Sequence, residues 1–132
     1  MSDPRFTPDE ANALLVQVRP LAERMVDRAR ELARAEAQRA QLLARIAGDG
    51  GDLPPSELAE ATQAAEAAES QLARSVEALL ALGVQVKDVR IGLVDFPSLR
   101  DGEEVLLCWR VGEDDVAFWH GLDEGYAGRK PL

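Results

Sequence analysis

Apolar positions repeat with a helical period over the first third of the chain. Steps of four and three residues alternate through Val18, Ala22, Met25, Ala29 and Leu32, and the spacing resumes at Leu43 and Ile46. One face of an α-helix has this period, so the pattern predicts a helical arm over residues 8–47. Thr7 and Glu10 have the spacing of a capping box at its start.

Two features interrupt this arm. Pro20 lacks a backbone N–H and its ring collides with the preceding turn, so we expect a kink or a short break between Val18 and Leu21. Glu36 and Arg39 fall on the apolar face. Either these two charges lie in a partner interface or, as a period of 3.6 residues favours, the apolar face drifts onto Ala33, Ala40 and Ala47.

A second helical arm is predicted over residues 54–82. The run GDGGDLPP contains three glycines and two prolines, so we expect residues 48–53 to form the tip of a hairpin. Gly83 is placed to end the second helix. The two arms should pair as a long antiparallel hairpin of coiled-coil character, with a second apolar face formed by Leu58, Ala61, Ala65, Ala68, Leu72, Val76 and Leu79.

The chain after Gly83 has the composition of short strands. The runs VQVKD, RIGLVDF, EVLLCWRV and VAFWH predict a small antiparallel sheet of three or four strands over residues 84–120. Asp101-Gly102 and residues 112–115 supply turns. Residues 121–132 are expected to form an ordered tail. The predicted fold is therefore α+β, a helical hairpin followed by a β-meander in one domain.

Alternation within EVLLCWRV separates its two faces. Val105, Leu107, Trp109 and Val111 share one face, and Leu106, Cys108 and Arg110 share the other. We expect one face to cover the base of the helices together with Phe6, Leu79 and Leu80. Leu106 on the opposite face indicates burial by the tail or by a second subunit.

The charge and composition narrow the classes of partner. The chain has 132 residues and a net charge of −9, which disfavours broad attraction to nucleic acid or to an anionic membrane. One cysteine allows no internal disulfide. The polar start MSDPRFTPDE is not a signal peptide, and no apolar run reaches the roughly 18 residues of a membrane span. We expect a soluble cytoplasmic protein.

The helical hairpin predicts a homodimer. An alanine-rich apolar face buries little area. Because burial of apolar surface contributes about 25 cal/mol per Å², such a hairpin gains less stability than a leucine-rich one. The first arm is near neutral and rich in arginine, whereas the second carries five glutamates and one arginine. Exposed ion pairs between the two arms each contribute less than about 1 kcal/mol to stability. Because a single hairpin is then only marginally stable, we expect a second hairpin to pack beside it.

Candidate chemistry centres on His120, the only histidine. With Asp95, Asp123 and Glu124 it could form a hard-ligand metal site or an acid–base site. The alternative that we favour is a hydrogen bond from His120 to Asp95 or Asp123 that fixes the tail. No cofactor is expected, apart from a divalent metal in the first case.

Other reactive residues have a structural interpretation that we favour. Cys108 lies mid-strand, where a buried, inert thiol is the usual outcome; a nucleophile would need activation by His120 or Arg110. Arg129 is expected to bind a carboxylate such as Asp95, Asp123 or Glu124. The alternative is an anion site formed by Arg110, Arg129 and Lys130.

Both ends of the chain resemble a known family. FTPDEANALLVQVRPL, and the elements GLVDFP, LCWR, GE, WH and GxAGR near the C-terminus, are similar to the prokaryotic domain-of-unknown-function family 2203. The resemblance implies an uncharacterised bacterial protein and supplies no roles. The positions that match its motif are Asp95, Cys108, Trp109, Glu113, Trp119, His120, Asp123, Gly125, Gly128 and Arg129.

Two functional hypotheses remain from the sequence. The first is a non-enzymatic, homodimeric helical-hairpin interaction module. The second is a metal-dependent or acid–base enzyme with its site at His120, Asp95, Asp123 and Glu124. The distance from Asp95 to His120 and the space beside them distinguish the two hypotheses: a carboxylate and an imidazole within metal-binding reach, with room beside them, would favour the second.

Overall fold

A computed structural model describes residues 4–49 and 54–132. Two helices precede a sheet, which confirms the α+β class. The elements in chain order are α1 Pro8–Asp49, α2 Pro55–Ala81, β1 Gln85–Asp88, β2 Leu93–Arg100, β3 Glu103–Trp109, β4 Phe118–Gly121, a 3-10 turn Tyr126–Gly128, and β5 Lys130–Pro131. Most of the predicted hairpin tip, residues 50–53, lies outside the described residues.

The described chain divides into two compact units. One contains the start of α1 up to Val26 together with Ser75–Leu132, and therefore holds the whole sheet. The other is Asp27–Arg74, which contains the later part of α1 and the earlier part of α2. Within the described residues, no helix combines the length and apolar character that a membrane crossing requires.

Helix α1 begins with the predicted capping box. The Thr7 N–H donates to Glu10 Oε1 at 2.9 Å, and the Glu10 N–H donates to Thr7 Oγ1 at 3.1 Å. The helix continues through Pro20, so the short break does not occur. The carbonyl that loses its partner belongs to Val16, which is 81% exposed, and water can satisfy it. A bend at Pro20 stays a prediction.

The apolar face of α1 within Asp27–Arg74 differs from the expected one. Leu42 is buried, whereas Leu43 and Ile46 are 44% and 37% exposed. Glu36 and Arg39 are exposed, and so are the alanines of the predicted drift, Ala33, Ala40 and Ala47. The apolar face thus shifts by one residue, which leaves the two charges in water. On α2 the predicted alanines Ala61, Ala65 and Ala68 are buried.

The sheet is an antiparallel meander with strand order β1-β2-β3-β4-β5. Asp101 and Gly102 form the β2–β3 turn with φ angles of 53° and 83°, as the Asp-Gly sequence predicts. The fifth strand is an addition to the prediction of three or four. It forms because the tail turns back along β4, where Pro131 pairs with Phe118.

One face of the sheet lies in the core of its unit. Phe96, Leu107 and Trp109 are at most 2% exposed, and Phe6 packs edge-on against Phe96 with ring centroids 5.6 Å apart. Leu79 is fully buried, as expected. Leu80 was expected there too, but it is 52% exposed, because it follows Leu79 by one position and points to another side of α2.

Candidate functional site: a buried Asp–Cys–His cluster

Three neighbouring strands bring Asp95, Cys108 and His120 together on the face opposite the aromatic core. Asp95 on β2 pairs directly with Cys108 on β3, and His120 on β4 pairs with Leu106, two residues before Cys108. Side chains two positions apart on a strand share a face. One carboxylate oxygen, the thiol sulfur and one ring nitrogen therefore lie within 4.8 Å of one another. All three residues are at most 3% exposed.

The imidazole of His120 is oriented by the backbone. Its Nδ1 lies 2.8 Å from the Gly121 carbonyl oxygen, and a carbonyl only accepts, so Nδ1 carries the proton. Nε2 lies 3.1 Å from Asp95 Oδ2, so the predicted hydrogen bond between His120 and Asp95 is present, and without an ion one proton lies between these two atoms, carried by Nε2 or by Oδ2. With the proton on Oδ2, the ring is neutral and its Nε2 lone pair accepts the bond; a metal ion can take the place of that proton. A histidine that donates one ring N–H to a carbonyl and presents the other nitrogen is the usual form of a metal ligand.

The Asp95 carboxylate lacks a full set of partners. Oδ2 faces His120, but Oδ1 is buried without a hydrogen-bond partner among the described residues. Burial raises the pKa of Asp95, although His120, Lys87 and the nearby Cys108 thiol act in the opposite direction. The thiol sulfur makes no hydrogen bond of ordinary geometry with Oδ1. A buried oxygen in this state destabilises the fold, so stability alone does not account for Asp95.

The Cys108 thiol is protonated in the folded chain. Burial and the Asp95 charge raise its pKa to about 11, against the opposing effect of Arg129. The guanidinium Nη1 of Arg129 lies 4.0 Å from the Cys108 sulfur. A neutral buried thiol is a poor nucleophile, but a coordinating metal ion deprotonates such a group outright.

The C-terminal tail packs over this face through Arg129. Its guanidinium forms a two-bond pair with the Glu113 carboxylate at 3.0 and 2.6 Å. It also stacks on the rings of Phe118 and Tyr126, 4.0 and 4.3 Å from their centroids. Arg129 therefore forms the expected two-bond pair with a carboxylate, but its partner is Glu113 and not Asp95, Asp123 or Glu124. Arg129 comes two residues before Pro131, the partner of Phe118 in the β4–β5 pairing, and side chains two positions apart share a face, so Arg129 reaches the Phe118 ring and Glu113.

Glu113 also organises the loop between β3 and β4. Its carboxylate accepts the Arg110 N–H at 3.0 Å, and its carbonyl accepts the Trp109 indole N–H at 3.0 Å and Arg19 Nη1 at 2.9 Å. Nothing in the pattern of apolar residues marks Glu113; only the family resemblance includes it.

A pocket of about 250 Å³ lies beside the cluster. Asp95 and His120 form part of its wall. The remaining wall is mostly apolar with one cation and one acid, and includes Lys87, Leu93, Leu106, Leu122, Glu124 and Tyr126. The space that the sequence could not show is thus present next to the carboxylate and the imidazole.

The other predicted site residues do not join the cluster. Glu124 lines the pocket, but its carboxylate accepts Lys130 Nζ at 2.8 Å and the Gly121 N–H at 2.9 Å, and the bond from Lys130 lowers its pKa. Asp123 is exposed. The predicted anion site is divided, because Arg129 pairs with Glu113 and Lys130 pairs with Glu124; Arg110 lies over the Tyr126 ring at 6.0 Å.

Comparison with known proteins places the whole chain in one family. The profile of the uncharacterized conserved protein DUF2203 matches residues 5–132. The chain belongs to the DUF2203 family. The match covers both the helices and the sheet of this DUF2203 protein, which confirms the resemblance seen in its motifs. No curated protein and no solved structure matches it.

Proposed function

We propose that this DUF2203 protein binds one divalent transition metal ion, with Zn²⁺ as the best fit, through Asp95, Cys108 and His120. The observation that carries the proposal is the convergence of a carboxylate oxygen, a sulfur and a ring nitrogen within 4.8 Å, combined with the unpartnered Asp95 Oδ1. Oxygen, sulfur and imidazole nitrogen are the donors that zinc takes in proteins.

The charges of the surroundings support a divalent ion. A carboxylate, a thiolate and a neutral imidazole around a doubly charged cation make a neutral group, which suits a buried position. The neighbouring Arg129–Glu113 pair is also neutral as a pair. Without an ion, Asp95 either carries a negative charge in a buried position or is protonated.

The three ligands and the adjoining pocket support a functional ion over a purely structural one. Structural zinc sites are closed by four protein ligands, whereas catalytic sites use three and leave one position for water or substrate. Here the pocket supplies space beside Asp95 and His120. A bound ion of this kind polarises a carbonyl group or lowers the pKa of a water molecule. We therefore propose a metal-dependent activity on a small molecule.

Individual residues of the chain would prepare this site. The Gly121 carbonyl fixes the proton of His120 on Nδ1, which leaves Nε2 for the ion. Arg129 lies 4.0 Å from the Cys108 sulfur, and its positive charge favours the thiolate. The strand pairing between Asp95 and Cys108 fixes the remaining two donors.

Cobalt binding to the full chain tests the proposal. Cys108 is the only cysteine, so a thiolate-to-cobalt charge-transfer band can arise only at this site. We expect one equivalent of Co²⁺ to produce the band, Zn²⁺ to displace it, and Cys108→Ala and His120→Ala to abolish it. Asp123→Asn is the matched control, because Asp123 is exposed and should leave binding unchanged. Absence of the band in folded protein, or unchanged metal affinity in Cys108→Ala, would overturn the proposal.

A second function, homodimerisation through the hairpin, has its own support. Between residues 27 and 48, α1 carries five arginines against three acids; between residues 55 and 74, α2 carries four glutamates against one arginine. In a pair of hairpins, α1 of one copy beside α2 of the other places opposite charges together. Leu43 and Ile46 on α1 are 44% and 37% exposed and supply apolar area for the contact.

Sedimentation analysis tests the homodimer. We propose that Leu43→Glu with Ile46→Glu converts a dimer to a monomer, because both changes place a charge in the apolar contact. Leu99→Glu is the control, since Leu99 is 50% exposed but lies on β2. A monomeric mass for the unmodified chain at high micromolar concentration would reject this second function.

A further inference from the structure

The pocket beside the Asp–Cys–His cluster has a composition that selects one class of ligand. We propose that it binds a small monocarboxylic acid with an apolar body, whose carboxylate lies between the metal ion and Lys87. This inference rests on the proposed metal site and adds the chemical class of the compound that occupies it.

The charge of the ligand follows from Lys87. Its side chain is exposed on β1 and lines the pocket, and among the described residues no carboxylate lies within ion-pair distance of its ammonium group. Its charge is nevertheless close enough to act on Asp95. With the metal group neutral and Glu124 paired with Lys130, the pocket retains one positive charge. A single negative charge on the ligand balances it, whereas a dianion would leave the pocket with a net negative charge.

The apolar body of the ligand follows from the remaining wall. Leu93 and Leu106 are buried at 8% and 4% exposure, whereas Leu122 and Tyr126 are 55% and 38% exposed. All four line the pocket. A ligand that reaches between Leu122 and Tyr126 would cover these two exposed side chains, and each Å² of apolar surface removed from water contributes about 25 cal/mol.

The size of the ligand follows from the volume. The pocket measures about 250 Å³, and a water molecule has a share of about 30 Å³ in the liquid. Roughly eight water-sized groups therefore fit. A branched or aromatic acid of the size of isovalerate or benzoate fits this space, because its bonded atoms lie closer together than separate water molecules.

Titration of the cobalt-loaded full chain with benzoate and isovalerate tests the inference. Each acid is expected to change the visible cobalt spectrum in a saturable way, whereas the neutral analogue benzamide and inorganic phosphate bind at least tenfold more weakly. In cobalt-saturated protein, Lys87→Met should weaken benzoate binding by about tenfold, since loss of one charge-assisted contact is about 1.4 kcal/mol. Arg100→Met is the matched control, because it removes the same charge from a residue that does not line the pocket.

The results separate the two proposals. If no thiolate-to-cobalt band forms, the metal site itself is wrong. If the band forms but benzoate leaves the spectrum unchanged, or benzamide and phosphate bind as tightly, the metal site stands and the carboxylic acid does not. If Lys87→Met and Arg100→Met weaken benzoate binding equally, Lys87 does not contact the ligand.

Discussion

Replacement of Arg129 by methionine tests whether the C-terminal tail is held by a partly buried ion pair. Methionine keeps much of the side-chain length and removes the charge. The change leaves the Glu113 carboxylate without its two hydrogen bonds from Arg129. It also removes the guanidinium from the faces of the Phe118 and Tyr126 rings.

The expected loss can be worked out from burial. Removing one partner of a fully buried pair costs about 3–5 kcal/mol, but Arg129 and Glu113 retain 16% and 20% side-chain exposure, so water reaches the remaining carboxylate in part. We expect about 2–3 kcal/mol from the pair, and ~0.5–1 kcal/mol from the cation–π contacts. A total of about 3 kcal/mol corresponds to a fall in Tm of roughly 12 °C for a chain of this size.

Urea unfolding of Arg129→Met, Glu113→Gln and the double variant measures the pair directly. A double-mutant cycle should give a coupling of about 2 kcal/mol. Lys130→Met is the control, because the Lys130–Glu124 pair has 49% and 41% side-chain exposure and should contribute less than about 1 kcal/mol. If Arg129→Met lowers the unfolding free energy by no more than Lys130→Met does, the Arg129–Glu113 pair does not hold the tail.

Three further predictions concern the core of the same unit. In metal-free protein at neutral pH, Asp95→Asn should raise the unfolding free energy by about 1 kcal/mol, because burial disfavours the carboxylate; a loss of stability in urea unfolding would contradict this. Iodoacetamide should alkylate folded Cys108 far more slowly than unfolded Cys108, since its pKa is about 11, and equal rates by mass spectrometry would refute it. Gly83→Ala should lower the unfolding free energy by at least about 1 kcal/mol more than Gly102→Ala. Both residues have positive φ, but only a Cβ at Gly83 meets an atom, Pro4 Cγ at 2.6 Å, so equal losses would reject the close contact.

Local signals in the sequence were sufficient for several elements. Thr7 and Glu10 predicted the start of α1, and Asp101-Gly102 predicted the β2–β3 turn, because both motifs act through bonds and backbone angles within a few residues. The period of the apolar positions predicted that both arms are helical, and the glycines and prolines between and after them placed their ends to within two residues. It was less reliable at Leu43, where a shift of one residue exchanges a buried side chain for an exposed one.

The site depended on pairing that a single sequence does not contain. The sequence correctly predicted that Asp95 and His120 are neighbours and that Cys108 is buried. It did not predict that Cys108 lies beside them, because that distance follows only from the strand register. The residues Asp123 and Glu124 were included because they are near His120 in sequence. A signal was present all the same, since Cys108 lies on the face of EVLLCWRV opposite Trp109, away from the aromatic core.

The central claim is that Asp95, Cys108 and His120 hold a metal ion, and anomalous diffraction from crystals of the zinc-loaded full chain tests it most directly. The account predicts one peak at the zinc edge, about 2.0–2.2 Å from a carboxylate oxygen of Asp95 and Nε2 of His120 and about 2.3 Å from the sulfur of Cys108, with the fourth position facing the pocket. A peak held instead by Asp123 and Glu124, a fourth protein ligand that closes the site, or no peak in zinc-soaked crystals would contradict it.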